Sequence, residues 1–252
     1  MDYSAIKILM DEKAEFYEHP DFITSDPVQI PHSYTLKEDI EIAGFLSATI
    51  AWGNRKSIIK NATSMMERMG NNPYDFVINA NEKQLTALDG FVHRTFNADD
   101  FKCFILNLRH IYTLQGGLEA QFNNSSKSIQ DQISDFKSLF FATNPLERSK
   151  KHIADPRKGS AAKRINMFLR WMVRPNTKGV DLGIWKTIST SKLSCPLDVH
   201  TANVSRKLGL LKRKQNDHKA VIELDNALRS MDAADPVKYD YALFGLGVFE
   251  KF

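Results

Sequence analysis

Apolar positions recur every three or four residues along most of the chain. Nowhere do apolar and polar residues alternate long enough to read as a half-buried strand, and no Asn-Gly or Asp-Gly step stands between two alternating runs as a hairpin signal. The pattern predicts a nearly all-helical protein. Residues 3–17 read as a first amphipathic helix, ended by His19-Pro20. Residues 20–34 hold Pro20, Pro27 and Pro31 and read as an extended crossing, because each proline removes a backbone donor and biases its predecessor away from helix. Thr35 with Glu38 fits a capping box that opens a helix to about Trp52, where Gly53 stops it. Residues 55–69 form the next helix, with Gly70 just past its end. Asn97 caps a long helix, 98–115, ended by Gly116-Gly117, and residues 128–142 form another. Asp155-Pro156-Arg157-Lys158-Gly159-Ser160 is a turn, and Ala161–Val173 is a helix of good helix formers. A loop with Pro175, Asn176 and Gly179 leads to a short helix near 181–187. A helix-like run after Asp198 stops at Gly209, and two final helices cover about 217–230 and 236–248, the last opening at Asp235-Pro236. There is no internal repeat and no low-complexity tail.

At 252 residues, 42% hydrophobic and 25% charged, the chain can bury one large core or build two lobes. No apolar run approaches the roughly 18 residues that a membrane helix needs. The N-terminal MDYSAIKILMDEKAEFYEHP mixes acids with apolar residues and does not read as a signal peptide. Cys103 and Cys195 are far apart and suggest neither a disulfide framework nor a metal cluster, which favours a reducing, cytoplasmic setting. The seven histidines form no pair at helical ligand spacing, so no zinc is expected.

The charge map changes this picture. Residues 145–214 hold 17 Lys+Arg against 4 Asp+Glu, whereas the rest of the chain holds 17 against 26. A basic segment on an otherwise acidic protein is the footprint expected for a polyanion partner, although a solvated lysine-rich face is the commoner meaning of a charge run. Asp198 lies inside this segment, in SKLSCPLDVHTANVSRKLGLL (191–211), between an apolar Pro-Leu step and the start of a helix. An aspartate there is a structural N-cap or a catalytic carboxylate, and both roles can coexist. Lys163 sits in the helix after the glycine turn. A lysine is a nucleophile only when its amine is neutral; burial beside a cationic surface and a carboxylate that accepts its proton favour that form. The separation of Lys163 and Asp198 in sequence neither requires nor forbids their meeting. Trp171 and Trp185 read as packing residues, and Met65-Met66-Met69 as ordinary helix packing.

The stretch KGSAAKRINMFLRW, then PLDVHTANVSRKLGLL, then YALFGLGV resembles the helix-hairpin-helix DNA glycosylase superfamily. Pro196-Leu197-Asp198-Val199-His200 is close to that superfamily's V-D-x-H pattern, and Lys163 falls where lyase-competent members carry their lysine. GFLSATIAWGNRKSI, residues 44–58, is similar to the early L-L-S-A helix, so the resemblance spans about residues 38–248. It is closest to a bacterial branch and to 8-oxoguanine glycosylase-like members, with a hairpin-to-aspartate connection similar to archaeal ones. The chain departs from the pattern in three places. D-P-R-K-G-S replaces L-P-G-V-G, Thr49 stands where many members have a gap-filling glutamine, and the C-terminal four-cysteine iron–sulfur motif is absent.

The resemblance implies an all-α fold of two helical lobes with a helix-hairpin-helix element and a cleft between them. It makes residues 1–252 one unit, with lobe one at about 35–145 and lobe two at about 1–34 plus 146–252. It implies a base-excision repair enzyme, a DNA N-glycosylase with AP-lyase capability, that flips a damaged base out of double-stranded DNA. Lys163 would attack the sugar C1′ and Asp198 would take its proton or stabilise the developing oxocarbenium charge. Arg157, Lys158, Gly159, Ser160 and His200 would contact the phosphate backbone, and Phe244 would stack on the flipped base. No cofactor, no iron–sulfur cluster and no membrane are expected, and the protein would act as a monomer in the cytoplasm, at the bacterial nucleoid. The alternatives are a helix-hairpin-helix protein that binds DNA but has lost catalysis, and a helical scaffold whose basic face meets an acidic protein.

Overall fold

A computed structural model describes residues 2–252. The described chain is mostly helical, and none of its helices is long and apolar enough to cross a membrane. It divides into two compact units, one made of residues 1–22, 128–131 and 155–252, the other of 23–127 and 132–154.

The second of these units contains α2 (Gln29–His32), α3 (Lys37–Thr49), α4 (Arg55–Arg68), α5 (Pro73–Asn79), α6 (Glu82–Leu85), the hairpin β1 (Val92–His93) and β2 (Phe96–Asn97), α7 (Ala98–Leu114) and most of α8 (Ile129–Phe140). Every residue of α3 from Asp39 to Thr49 is buried, so this helix is the axis of the unit. Phe45 stacks on Phe104 at 5.9 Å and meets Phe136 edge-on at 5.7 Å, which gives the core an aromatic centre. Glu41 is buried with its charge satisfied, because the Tyr112 hydroxyl donates to it at 2.6 Å.

Several local expectations are corrected in this unit. The proline-rich crossing is not extended, since Pro20–Ser25 winds as a 3-10 helix and α2 follows it. Pro20 and Pro31 fit there because they occupy first-turn positions, where the missing N–H would have no partner anyway. Thr35 and Glu38 form no capping box. The N-cap of α3 is Leu36, with no side-chain bond, and Glu38 and Asp39 in the first turn complement the helix dipole instead. The short hairpin lacks a glycine; its tip is turned by Arg94 at φ 55. Asn97 does cap α7, accepting from Asp100 N while the Asp100 carboxylate accepts from Asn97 N.

The first unit joins the two ends of the sequence. It holds α1 (Tyr3–Tyr17), α9 (Lys163–Val173), α10 (Val199–Lys207), α11 (His218–Met231) and α12 (Tyr239–Val248). Met10, Ala14, Ala202, Val204, Leu224 and Leu243 meet in its core. Helix α12 packs on α1 and on α10. Its glycines permit this: a Cβ on Gly245 would lie 2.1 Å from the Tyr17 ring, and one on Gly247 would lie 3.0 Å from the His200 Cβ.

Helix α9 starts two residues later than its composition suggests, because Ala162 adopts a left-handed conformation (φ 48) and donates its N–H to Ser160 Oγ. The expected helix near 181–187 is absent. Leu182 N and Gly183 N donate to Trp171 O, and Trp185 N donates to Met172 O. The segment lies extended along the end of α9 and satisfies carbonyls that a helix terminus leaves open.

Candidate active site

All the sequence-derived candidates, Asp198, Lys163, Arg157, Lys158, Gly159, Ser160, His200 and Phe244, fall within the first unit. Asp198 is half-buried at the N-cap of α10, where its Oδ1 accepts from Thr201 N at 2.8 Å. Capping therefore occupies one carboxylate oxygen. The Thr201 hydroxyl beside it is buried without a hydrogen-bond partner among the described residues. The strand-like approach Leu193–Leu197 is buried throughout, and this fixes where the cap stands.

Lys163 opens α9. Its Nζ lies 3.4 Å from Met167 Sδ, one helical turn on, and it makes no ion pair with Asp198. What links the two is a third residue. Asp240, in the first turn of α12, is almost fully buried, and both Asp198 and Lys163 lie close enough to act electrostatically on its carboxyl. Burial pushes Asp240 up to about 6; the Arg170 and Lys163 cations oppose this, while the Asp198 and Asp181 carboxylates reinforce it. Its oxygens are held by Arg170 Nη1 and by the Cys195 thiol, whose Sγ is 3.8 Å from Oδ1. Burial, together with the Asp240 and Asp225 carboxylates, pushes the Cys195 thiol well above its ordinary range and keeps it protonated.

Sequence reading missed Asp240. The available signal was its place as the one charged residue between Lys238 and Glu250, in an otherwise apolar helix. It also missed the charge cluster behind it. Arg170 bonds Asp181 at 3.3 Å, and Arg174 binds Glu18 and Asp181 at 2.6 and 2.7 Å and Asp235 at 2.8 Å. Tyr241 lies against both guanidinium groups, 4.3 Å from Arg170 and 5.5 Å from Arg174. Desolvation lowers the neighbouring Arg164 to about 10.

The turn before α9 is compact. Asp155 Oδ1 accepts from Arg157 N at 3.1 Å, Pro156–Lys158 forms one 3-10 turn, and Gly159 takes φ 87. Arg157 and Lys158 are exposed, and Arg157 pairs with Asp131 at 3.3 Å. His200 is exposed on the first turn of α10. Phe244 is partly buried and meets Phe22 edge-on at 5.9 Å, so its ring already serves in packing. Among the described residues, no three His, Cys, Asp or Glu side chains converge as a metal site.

Comparison with curated proteins finds no match, and comparison with solved structures finds none either. Residues 26–249, nearly the whole chain, match a family described as "Protein of unknown function (DUF2400)", and the chain belongs to that family.

Proposed function

We propose that this chain is a DNA N-glycosylase with lyase capability, acting on a damaged base flipped from double-stranded DNA, with the turn 155–160 and α9 serving as its hairpin element. The observation that supports the reading is that the charges of Lys163 and Asp198 both act on one buried carboxylate, Asp240. A nucleophile and a proton acceptor must share a small volume to cooperate, and these residues come from two helix starts separated by 35 positions. In this mechanism the neutral Lys163 amine attacks C1′ and the N-glycosidic bond breaks. Its electron pair leaves with the base, which takes up a proton, and Asp198 accepts the proton lost by the lysine nitrogen. Opening of the sugar gives a Schiff base, from which β-elimination cleaves the strand.

Borohydride trapping on duplexes containing 8-oxoguanine, uracil, thymine glycol or an abasic site tests this. The expected result is base excision and a covalent adduct that Lys163→Ala abolishes. Absence of both excision and adduct across the panel would reject the reading.

A second reading, DNA binding without chemistry, is favoured by one observation: the Lys163 amine rests on the Met167 sulfur and is not paired with Asp198. It predicts salt-sensitive duplex binding that Asp198→Asn leaves unchanged, with no excision of any lesion.

A further inference from the structure

The turn at 157–160 does not stand alone. Ser160 pairs with Asp217 in an antiparallel bridge, and His218 N donates to Gly159 O at 3.0 Å. These contacts fasten the connection between α10 and α11, which reads Leu211-Lys212-Arg213-Lys214-Gln215-Asn216-Asp217, against the turn. The acids of that connection are committed to its shape. Asp217 caps α11 by accepting from Ala220 N and pairs with Arg213, which holds its carboxyl far below the usual range. Glu223 accepts from Lys212 N at 2.6 Å and Arg213 N at 3.3 Å. Arg206 stiffens the same loop through Arg213 O at 2.8 Å and Asn216 Oδ1 at 2.5 Å. Lys158, Lys212, Lys214 and Lys219, by contrast, are all exposed and belong to no ion pair among the described residues.

We infer that the bridged turn and loop, residues 157–160 and 212–219, form one surface that binds the phosphodiester backbone of duplex DNA. The inference rests on the DNA reading above and assigns a partner surface to residues outside the catalytic constellation. Its physical basis is charge complementarity on a preorganised scaffold. Four cations, Lys158 on the turn, Lys212 and Lys214 on the loop and Lys219 in the first turn of α11, stand on a scaffold that the bridge, the α11 cap and Arg206 have already ordered, so little chain entropy is lost when phosphates bind.

The test compares the full-length protein with Lys212→Gln/Lys214→Gln/Lys219→Gln, using fluorescence anisotropy with a labelled duplex at several salt concentrations. Each phosphate contact contributes roughly 0.9 to the slope of log affinity against log salt, so the triple variant should lose about 2–3 in slope and at least tenfold in affinity at low salt. A charge-matched control, Lys7→Gln/Lys60→Gln/Lys83→Gln, should keep the wild-type slope. Wild-type slope and affinity in the first variant, or equal losses in both, would overturn the surface while leaving the DNA reading in place. No salt-sensitive duplex binding by the wild-type protein would overturn both. Circular dichroism of each variant separates lost contacts from lost fold.

Discussion

At the scale of single residues, Asp198 is built to do two things at once. One oxygen caps α10 through Thr201 N, and the carboxylate charge reaches Asp240. Asparagine caps a helix as well as aspartate does, so Asp198→Asn should leave stability within about 0.5 kcal/mol while lowering excision by roughly 10²–10⁴. Thermal denaturation and single-turnover excision measured on the same preparation check both halves, and full activity in this variant would leave Asp198 as a cap alone. Asp240 makes a different prediction. Its carboxyl moves from 3.8 to about 6 on folding, so the native state holds its proton more tightly than the unfolded chain does. That contribution is complete below the unfolded value and is lost as pH rises through about 6. It amounts to about 3 kcal/mol. Asp240→Asn removes the titration. The stability of the variant relative to wild type should therefore rise between about pH 4 and 6, as read from denaturant unfolding at each pH. A difference that stays flat over that range would show that Asp240 titrates normally.

At the scale of elements, α12 is held by what it lacks. Tyr17 occupies the space where a Gly245 side chain would stand and stacks on Phe249 at 5.5 Å, while His200 and Val204 of α10 close on Gly247. Asp240 is carried on the same helix, so the packing of α12 sets the position of the buried carboxyl. Gly245→Ala would gain helix propensity but force α1 away. We expect a net destabilisation of about 1–3 kcal/mol by equilibrium unfolding. The extended segment 181–185 acts in a comparable way on α9. Gly183 at φ 57 allows the segment to lie against Arg174 O, where a Cβ would be only 2.6 Å away.

At the scale of the molecule, the first unit is closed by a guanidinium. Arg174, at the end of α9, reaches Glu18 from the start of the chain, Asp181 from the middle and Asp235 from near the end, all in buried or half-buried surroundings. Removing Arg174 leaves the buried Glu18 charged without its cation and leaves Asp181 with Arg170 alone. Arg174→Ala should therefore cost about 3–5 kcal/mol, seen as a lower denaturation midpoint. If the cost stays under 1 kcal/mol, then water or local rearrangement already satisfies Glu18 and Asp181.

The sequence by itself determined the helical character and most helix boundaries. Helix periodicity, the Asn97 cap and the stopping glycines are local signals that act within a turn or two of where they stand. It also located Asp198, because a cap and a basic surrounding are both visible in one short stretch. The capping box at Thr35, the extended crossing at 20–34 and the helix at 181–187 failed for a shared reason. Each depended on which partner the backbone finds, and partners such as the Trp171 and Met172 carbonyls lie outside the local window. Only the tertiary structure decided that the Lys163 and Asp198 charges both act on the buried Asp240, that Arg174 gathers three distant carboxylates, and that the turn at 159–160 is bridged to Asp217. Those relations depend on burial and on contacts between residues tens to hundreds of positions apart. In a single sequence, a buried, paired charge and a solvated one are spelled the same way.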